Sequence, residues 1–278
     1  MSDEPREPVV QGPGVSEPEL GAGVEAGYVP PDPDEPPPVE LGRVGDVLPW
    51  GTVAILLAWG VVFLWFAARR QVEWVPAYIA WGANVNGRPA LETAWRALAS
   101  TFLHAGMAHV SLNALSLLMF GSSVESVLSR WAFWIVYALG GAAASLGSVA
   151  WHAWRYGDAT HTSVGGSGAI FALGGALLAS AIRLRRRLAV GRARALAAGA
   201  LFLLTQSLVA GFSHLGTDNA AHATGLASGF AIGTLLPITE RLGGPPAGGP
   251  VRVAAIVAAA AIVAALTLAI VSGTQAGY

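Results

Sequence analysis

Long runs of apolar residues, separated by short polar segments, follow one another along the chain from residue 50 onward. A membrane-spanning helix needs about 20 mostly apolar residues, and seven runs come close to this length. They predict spans at 50–68, 102–121, 131–151, 164–182, 195–212, 219–238 and 251–273. The segment 73–101 is amphipathic and rich in Trp, which predicts a structured loop at the membrane interface, where Trp is enriched.

The composition supports an all-α membrane protein. Of the 278 residues, 54% are hydrophobic and 12% are charged, about half the charged fraction of a typical soluble domain. The chain has no cysteine, which excludes disulfides and thiol catalysis. It also has no strongly basic patch, so we expect no nucleic-acid partner. The expected partners are the lipid bilayer and other membrane proteins.

The charge is divided unevenly along the chain. Residues 1–48 contain 11 acidic and two basic residues, together with ten of the 17 prolines. A segment of this composition cannot bury enough apolar surface to fold, so we predict a disordered, acidic, Pro-rich tail. It lacks the basic start and the apolar centre of a signal peptide.

Arginine positions predict the orientation in the membrane. Six of them lie in the loop RLRRRLAVGRAR between the fourth and fifth predicted spans. With this loop in the cytoplasm, eleven Arg fall on the cytoplasmic side and five on the other, in agreement with the positive-inside rule. The N-terminal tail is then cytoplasmic and the C-terminus lies outside. The last span, 251–273, is almost wholly apolar, and we interpret it as an additional C-terminal helix.

Four polar side chains stand near the start of three predicted spans. His109 and Asn113 are four residues apart in the second span and therefore share a helix face. Ser167 opens the fourth span, and His222 lies near the start of the sixth. All three spans run inward from the outer face, so these groups reach a similar depth. Polar groups are costly in lipid, which favours one functional site over four separate structural roles.

Small residues predict how these groups meet. Two overlapping GxxxG patterns in the sixth span allow close approach of another helix, and the fourth span has small residues at the same spacing. The two faces consist of Gly225, Gly229 and Gly233, and of Gly168, Ala172 and Ala176. Their packing brings the Ser167 hydroxyl within reach of the His222 ring, the minimum for nucleophilic serine catalysis. Taken singly, a GxxxG pattern or a serine in a span is more often structural.

Several motifs around these residues resemble the rhomboid family of intramembrane serine proteases. They are WR at Trp95-Arg96, HAGMAHVSLN in the second span, FGSSVE ending at Glu125, GGSG around Ser167 and AHATGLASG in the sixth span. The resemblance covers roughly residues 50–238. It implies a six-helix transmembrane core over 49–240 and, with 251–273, a 6+1 arrangement.

The resemblance also implies roles for individual residues. Ser167 matches the nucleophile and His222 the general base of a dyad that has no carboxylate, so Asp218 is interpreted as a loop acid. Asn113, His109 and the Ser167 backbone N–H match the groups that bind the oxyanion. No metal or cofactor is expected, because the histidines lack the H-E-x-x-H spacing of a zinc protease.

The supporting residues receive expectations of their own. Phe171 is expected to stack on the catalytic histidine, and His104 to serve structure or water retention. Arg96 is expected to anchor the first loop, and Glu125 to take part in a helix-end interaction. Among the glycines, Gly168 and Gly225 are expected to let the two helices approach, and Gly165 and Gly166 to leave room for a substrate backbone.

The predicted function is therefore an intramembrane serine endopeptidase. It would cut single-span membrane proteins near the outer face of a membrane, most simply the inner membrane of a bacterial cell. Two other classes stay open at this point. An inactive rhomboid-like binding protein typically lacks the serine or the histidine, and both are present here. A transporter often shows inverted repeats with a site at the midplane, and we find no such repeat.

Overall fold

The structure is a computed structural model of the chain. It describes residues 48–69, 71, 74–88, 90–157, 160–185, 198–199, 201–202, 205, 217–239 and 244–278. All of them belong to the unit Pro37–Tyr278. The predicted tail 1–48, apart from Leu48, and most of the predicted span 195–212 lie outside the described residues, so both stay predictions.

The described residues are mostly helical. In chain order the helices are α1 (Trp50–Ala68), α2 (Val75–Ala80), α3 (Ala90–Ala99), α4 (Met107–Val127), α5 (Arg130–Ile135), α6 (Gly141–Tyr156), α7 (Ser167–Arg183), α8 (Asn219–Leu235) and α9 (Gly249–Gln275). A 3-10 turn, Ser100–Phe102, follows α3, and a π-helical segment, Val136–Gly140, joins α5 to α6.

Four helical runs within the described part of the chain are long and apolar enough to cross a membrane. They are α1, α4, the continuous run Arg130–Tyr156 and α9. The helix α7 is apolar but shorter. These runs fit an all-α membrane fold, and the full 6+1 helix count stays a prediction.

Exposed apolar residues on the helices support a membrane location. The helix α1 buries Ile55 and Trp59, whereas Leu57, Val61 and Leu64 on its other face are each more than 60% exposed. The exposed face of a helix in a soluble protein carries polar residues instead. The chain is therefore an integral membrane protein whose outward helix faces contact lipid.

Two predicted spans begin later than expected, because glycines interrupt the helix before them. The helix α4 begins at Met107 rather than at 102, after Gly106 with φ of +106°. The helix α7 begins at Ser167 rather than at 164, after Gly165 with φ of +124°. Positive φ values are accessible to glycine at little cost, and they turn the chain into the helix start at both places.

A two-stranded antiparallel ribbon connects the first loop to the start of α7. Its strands are β1 (Asn84–Val85) and β2 (Thr162–Ser163), with Asn84 opposite Ser163. Segment 73–101 is thus structured, as predicted, and contains α2, β1 and α3. Its position at the membrane interface stays a prediction.

Arg96 and Glu125 hold the scaffold together at two places. The Arg96 guanidinium donates hydrogen bonds to the backbone carbonyls of Ile79 (2.6 Å) and Ala83 (3.2 Å), which confirms its predicted loop-anchoring role. The Glu125 carboxylate accepts hydrogen bonds from the backbone N–H groups of Gly51 (3.2 Å) and Thr52 (2.8 Å). These groups lie at the N-terminus of α1, so the predicted helix-end interaction is confirmed as well.

The helices α7 and α8 pack through the small-residue faces that the sequence predicts. The facing pairs are Gly225 with Gly168, Gly229 with Ala172 and Gly233 with Ala176. An added Cβ on Gly229 would lie only 1.9 Å from the carbonyl oxygen of Ala172, and one on Gly225 would lie 2.3 Å from that of Gly168. Any side chain at these positions would push the two helices apart. Close backbone contact between α7 and α8 therefore depends on these glycines.

Candidate active site

The contact between α7 and α8 brings a hydroxyl and an imidazole together. Ser167 is the first residue of α7, and His222 is the fourth residue of α8. The Ser167 Oγ and the His222 Nε2 are 2.8 Å apart, within hydrogen-bond distance. His222 is 9% exposed, so the ring lies in a protected environment. This is the geometry that a serine nucleophile and its general base require.

Phe171 holds the ring of His222 from one side. The two ring centroids are 4.2 Å apart with an angle of 11° between the planes, a stacked arrangement. Phe171 lies one turn after Ser167 on α7 and is itself buried. The stacking limits rotation of the imidazole and keeps its Nε2 toward the serine. The predicted stacking contact is present.

His109 and Asn113 meet beside the backbone that leads into α7. An added Cβ on Gly165 would lie 2.7 Å from the Nε2 of His109 and 3.5 Å from the Nδ2 of Asn113. Both side chains thus stand over the residue two positions before Ser167. They come from the first two turns of α4, as the four-residue spacing predicts.

The amide of Asn113 has an unused donor. Its Nδ2 is buried and has no hydrogen-bond partner among the described residues. A buried amide without a partner costs free energy, so a native structure keeps one only where something compensates. The backbone N–H of Ser167 belongs to the first turn of α7, where N–H groups lack intrahelical acceptors. Donors of this kind suit a transient negative charge.

The glycines before Ser167 make room for side chains of the protein itself. An added Cβ on Gly166 would lie 2.1 Å from the ring of Trp59, and one on Gly165 would meet the ring of His109. The Cβ side of both glycines is therefore filled by Trp59 and His109, and the expectation that the two glycines leave space for a substrate backbone stays a prediction. Their small size lets Trp59 and His109 pack against the loop and fix its course.

His104 lies in the segment before α4, behind the site. Its ring makes edge contacts with Trp59 (centroids 4.8 Å apart) and with His109 (5.2 Å). Tyr78 donates a hydrogen bond to its backbone carbonyl over 2.8 Å. Burial, together with the smaller effect of the neighbouring His109, lowers the pKa of His104 to about 3, so the ring is neutral at pH 7. These contacts support a structural role.

Asp218 precedes His222 by one turn and caps α8. Its carboxylate accepts hydrogen bonds from the Ala221 N–H (3.0 Å) and from the Ser148 hydroxyl. An aspartate at this position satisfies a free N–H group at a helix start. Asp218 is thus more than the loop acid that the sequence predicts, because it fixes the start of the helix that carries His222.

Sequence reasoning overlooked Trp59 and a pair of histidines. Trp59 lies in the middle of an apolar span, where the sequence pattern indicates only a membrane helix. In the structure its ring packs on Gly166 and His104. His152 and His161 stack on each other next to Asp218. A histidine at the end of a predicted span, such as His152 directly after 131–151, is a signal that could have led to this second cluster.

The described residues define a helical membrane protein in which a half-buried serine and a buried histidine lie within hydrogen-bond distance between two close-packed helices. A family model, the Rhomboid domain, matches residues 91–238. The chain therefore belongs to the rhomboid family, and the resemblance inferred from the motifs is confirmed.

Curated relatives agree with this assignment. The chain is 30% identical over 162 residues to Rhomboid protease GluP of Bacillus subtilis (strain 168), an alignment that covers 58% of this chain and 30% of that protein. It is 29% identical to the Putative rhomboid protease YdcA of the same organism, over 65% of this chain and 85% of that one. RHOMBOID-like protein 1 of Arabidopsis thaliana is 33% identical, in an alignment that covers 54% of this chain and 36% of that protein. The alignment thus covers less than a third of GluP, and two of these three relatives are named as rhomboid proteases.

Proposed function

We propose that this chain is an intramembrane serine endopeptidase that uses Ser167 as nucleophile and His222 as general base. The observation that carries the proposal is the 2.8 Å contact between the Ser167 Oγ and the His222 Nε2, a partly buried pair at the contact between α7 and α8. Membership in the rhomboid family and relatives named as proteases support it.

The reaction follows from the chemistry of these groups. The Ser167 Oγ attacks the scissile carbonyl carbon while its proton passes to the His222 Nε2. The oxyanion that forms is stabilised by Asn113, by His109 and by the backbone N–H of Ser167. The protonated His222 then donates its proton to the leaving amine, which leaves an acyl-enzyme. Water, deprotonated by His222, attacks the acyl carbon and releases Ser167 and the new carboxylate.

The proposed substrates are single-span membrane proteins, cut near the outer edge of the membrane. This part of the proposal rests on the orientation that the arginines predict and on the position of the site at the starts of α4, α7 and α8. Water must reach the acyl-enzyme, which favours a site close to one surface over one at the midplane. We further propose that the protein lies in the inner membrane of a bacterial cell with its N-terminus in the cytoplasm.

Replacing Ser167 tests the nucleophile. In cleavage of a single-span substrate by the purified full-length protein, Ser167→Ala is expected to lower the rate by about 10⁴-fold or more. The matched control is Ser180→Ala on the same helix, whose hydroxyl donates a hydrogen bond to the Ala176 carbonyl over 2.8 Å; it should cleave at nearly the wild-type rate. Cleavage by Ser167→Ala at the wild-type rate would overturn the assignment.

A covalent probe separates an active enzyme from a member of the family that binds membrane proteins without cutting them. A fluorophosphonate reacts with an activated serine, so it should label the wild type and the Ser180→Ala variant but not Ser167→Ala. A folded wild-type protein that the probe does not label would favour the binding protein.

The orientation has a test of its own, because the chain contains no cysteine. Single cysteines at the exposed positions Leu48 and Ala276 stand at the two ends of the described chain. In intact cells, a membrane-impermeant maleimide should label Ala276→Cys and not Leu48→Cys. The reverse labelling would place the site on the cytoplasmic side.

A further inference from the structure

A second cluster of ionisable side chains lies outside the reaction centre. His152, His161 and Asp218 each offer one ligand atom, and these three atoms lie within 4.8 Å of one another. They come from three separate parts of the chain: the last turn of α6, the segment leading into β2 and the start of α8. The proposed proteolytic reaction uses none of them.

His152 is arranged like a metal-binding histidine. Its Nδ1 is 2.8 Å from the backbone carbonyl oxygen of Ser148, one turn earlier on α6. A carbonyl only accepts hydrogen bonds, so Nδ1 carries the proton and the lone pair is on Nε2. A ring N–H bound to a backbone carbonyl fixes the tautomer and orientation of metal-ligating histidines in this manner. His152 is 9% exposed, so this ring has little freedom to turn away.

Asp218 supplies an anionic oxygen to the cluster. Its carboxylate accepts hydrogen bonds from the Ser148 hydroxyl and the Ala221 N–H. Each of its oxygens keeps lone pairs after accepting these bonds.

His161 completes the set from a loop. Its ring stacks on that of His152, with centroids 3.5 Å apart and planes at 5°. Its backbone N–H donates to the Asn86 Oδ1 over 2.6 Å, which ties this loop to the segment after β1. One ring nitrogen of His161 lies within 4.8 Å of the ligand atoms of His152 and Asp218.

We propose that His152, His161 and Asp218 bind a zinc ion. Two imidazoles and one carboxylate form a ligand set typical of Zn²⁺, with water in the fourth position. The two stacked rings lie in nearly parallel planes, so binding of one ion by both requires the His161 ring to tilt toward the carboxylate. Its position in a loop permits this movement.

The proposed ion would stabilise the start of α8. It would join α6 and the loop before β2 to Asp218, the residue that caps the helix carrying His222. The ion takes no part in the bond cleavage, and the site is independent of the proposed protease activity. Its expected effect is therefore on thermal stability and on the position of His222.

The test measures metal binding directly. Full-length protein without an affinity tag is stripped with a chelator in detergent and titrated with Zn²⁺ by calorimetry and by thermal unfolding. We expect one zinc per chain, a dissociation constant in the micromolar range or below and a higher Tm, with no such shift from Mg²⁺ or Ca²⁺. Co²⁺ should give the visible absorption of a tetrahedral site. No binding by the folded wild type would overturn the proposal.

Three variants localise the ion. His161→Ala removes one ligand, and Asp218→Asn removes the charge but keeps a side chain that caps helices well; each should weaken zinc binding by about 100-fold or more. Ser148→Ala keeps all three ligands and removes a hydrogen bond that orients Asp218. We expect this variant to bind zinc about 10- to 100-fold more weakly than the wild type. Unchanged affinity in both His161→Ala and Asp218→Asn would show an adventitious site elsewhere and reject this one.

Two control variants separate zinc binding at this site from effects on folding and on catalysis. Tyr156→Phe keeps the ring that packs beside His152 and removes no ligand, so its zinc affinity should equal that of the wild type. Ser167→Ala should also bind zinc normally. Zinc binding by a protein that fails to cleave would therefore support this site even if the proposed protease activity proved wrong.

Discussion

The two ends of α4 bury polar side chains in opposite situations. Near the start, Asn113 is 7% exposed, and its Nδ2 has no hydrogen-bond partner among the described residues. Near the end, Glu125 is 5% exposed and accepts three hydrogen bonds, from the N–H groups of Gly51 and Thr52 and from the Thr52 hydroxyl. One helix thus carries an unsatisfied amide and a satisfied carboxylate about three turns apart.

This difference distinguishes a buried polar group that stabilises the fold from one that is available to bind a reacting group. A satisfied group contributes to stability, because its partners would lose their hydrogen bonds without it. An unsatisfied group costs stability, and the cost is compensated when a ligand or a transition state supplies the partner. Asn113 stands beside the loop that leads into Ser167, whereas Glu125 caps α1. We therefore expect mutations at the two ends to separate activity from stability.

Among the variants that test this comparison, the largest effect on activity is expected at Asn113. Asn113→Ala removes a proposed oxyanion donor and should lower kcat by about 10²–10³-fold. The free energy of unfolding should hardly change, because the amide donor has no partner to lose. Cleavage kinetics and thermal unfolding on the same preparation measure both. Ser126→Ala, later on the same helix, should alter neither; a large loss of stability in Asn113→Ala would contradict the comparison.

At Glu125 we expect a loss of stability with little change in activity. Glu125→Ala leaves two backbone N–H groups and one hydroxyl without their acceptor, which should lower the free energy of unfolding by about 3 kcal/mol. The kcat of the protein that remains folded should stay within about twofold of wild type. Denaturant titration in mild detergent gives the stability, and Glu125→Gln, which keeps one acceptor oxygen, should lose less. A selective loss of kcat would instead connect this end of α4 with the reaction.

A smaller effect on activity is expected at Phe171. Aromatic contacts of the kind it makes with His222 contribute about 0.5–1.5 kcal/mol, so Phe171→Leu should lower kcat by about tenfold at most. The substitution keeps an apolar side chain in the core and removes the stacking. Steady-state kinetics distinguish a loss in kcat, which imprecise positioning of the base would cause, from a rise in KM alone, which it would not.

The smallest effect is expected at Thr52. Thr52→Val keeps the shape of the side chain and removes one of the three donors to Glu125, at a cost of about 1 kcal/mol. Activity should be unaffected. If Thr52→Val destabilises as much as Glu125→Ala, the hydroxyl rather than the backbone N–H groups carries the interaction.

Much of the architecture and of the candidate site could be predicted from local patterns. The long apolar runs predicted α1, α4, the run through α5 and α6, and α9, because a helix in lipid must be apolar over its length. The repeated small residues predicted the contact between α7 and α8, and with it the meeting of Ser167 and His222. The span starts were less accurate, since the φ of Gly106 and Gly165 depends on how the loops pack.

The sequence alone determined the membrane class and the family, and it singled out Ser167 and His222 as the proposed nucleophile and base, because apolar length and motif spacing are local properties. Only the tertiary structure decided what surrounds them. Trp59 fills the space beside Gly166, Glu125 caps a helix more than 70 residues away, and His152 and His161 meet at Asp218. Such contacts join segments distant in sequence, and they form only when the helices settle into one packed arrangement.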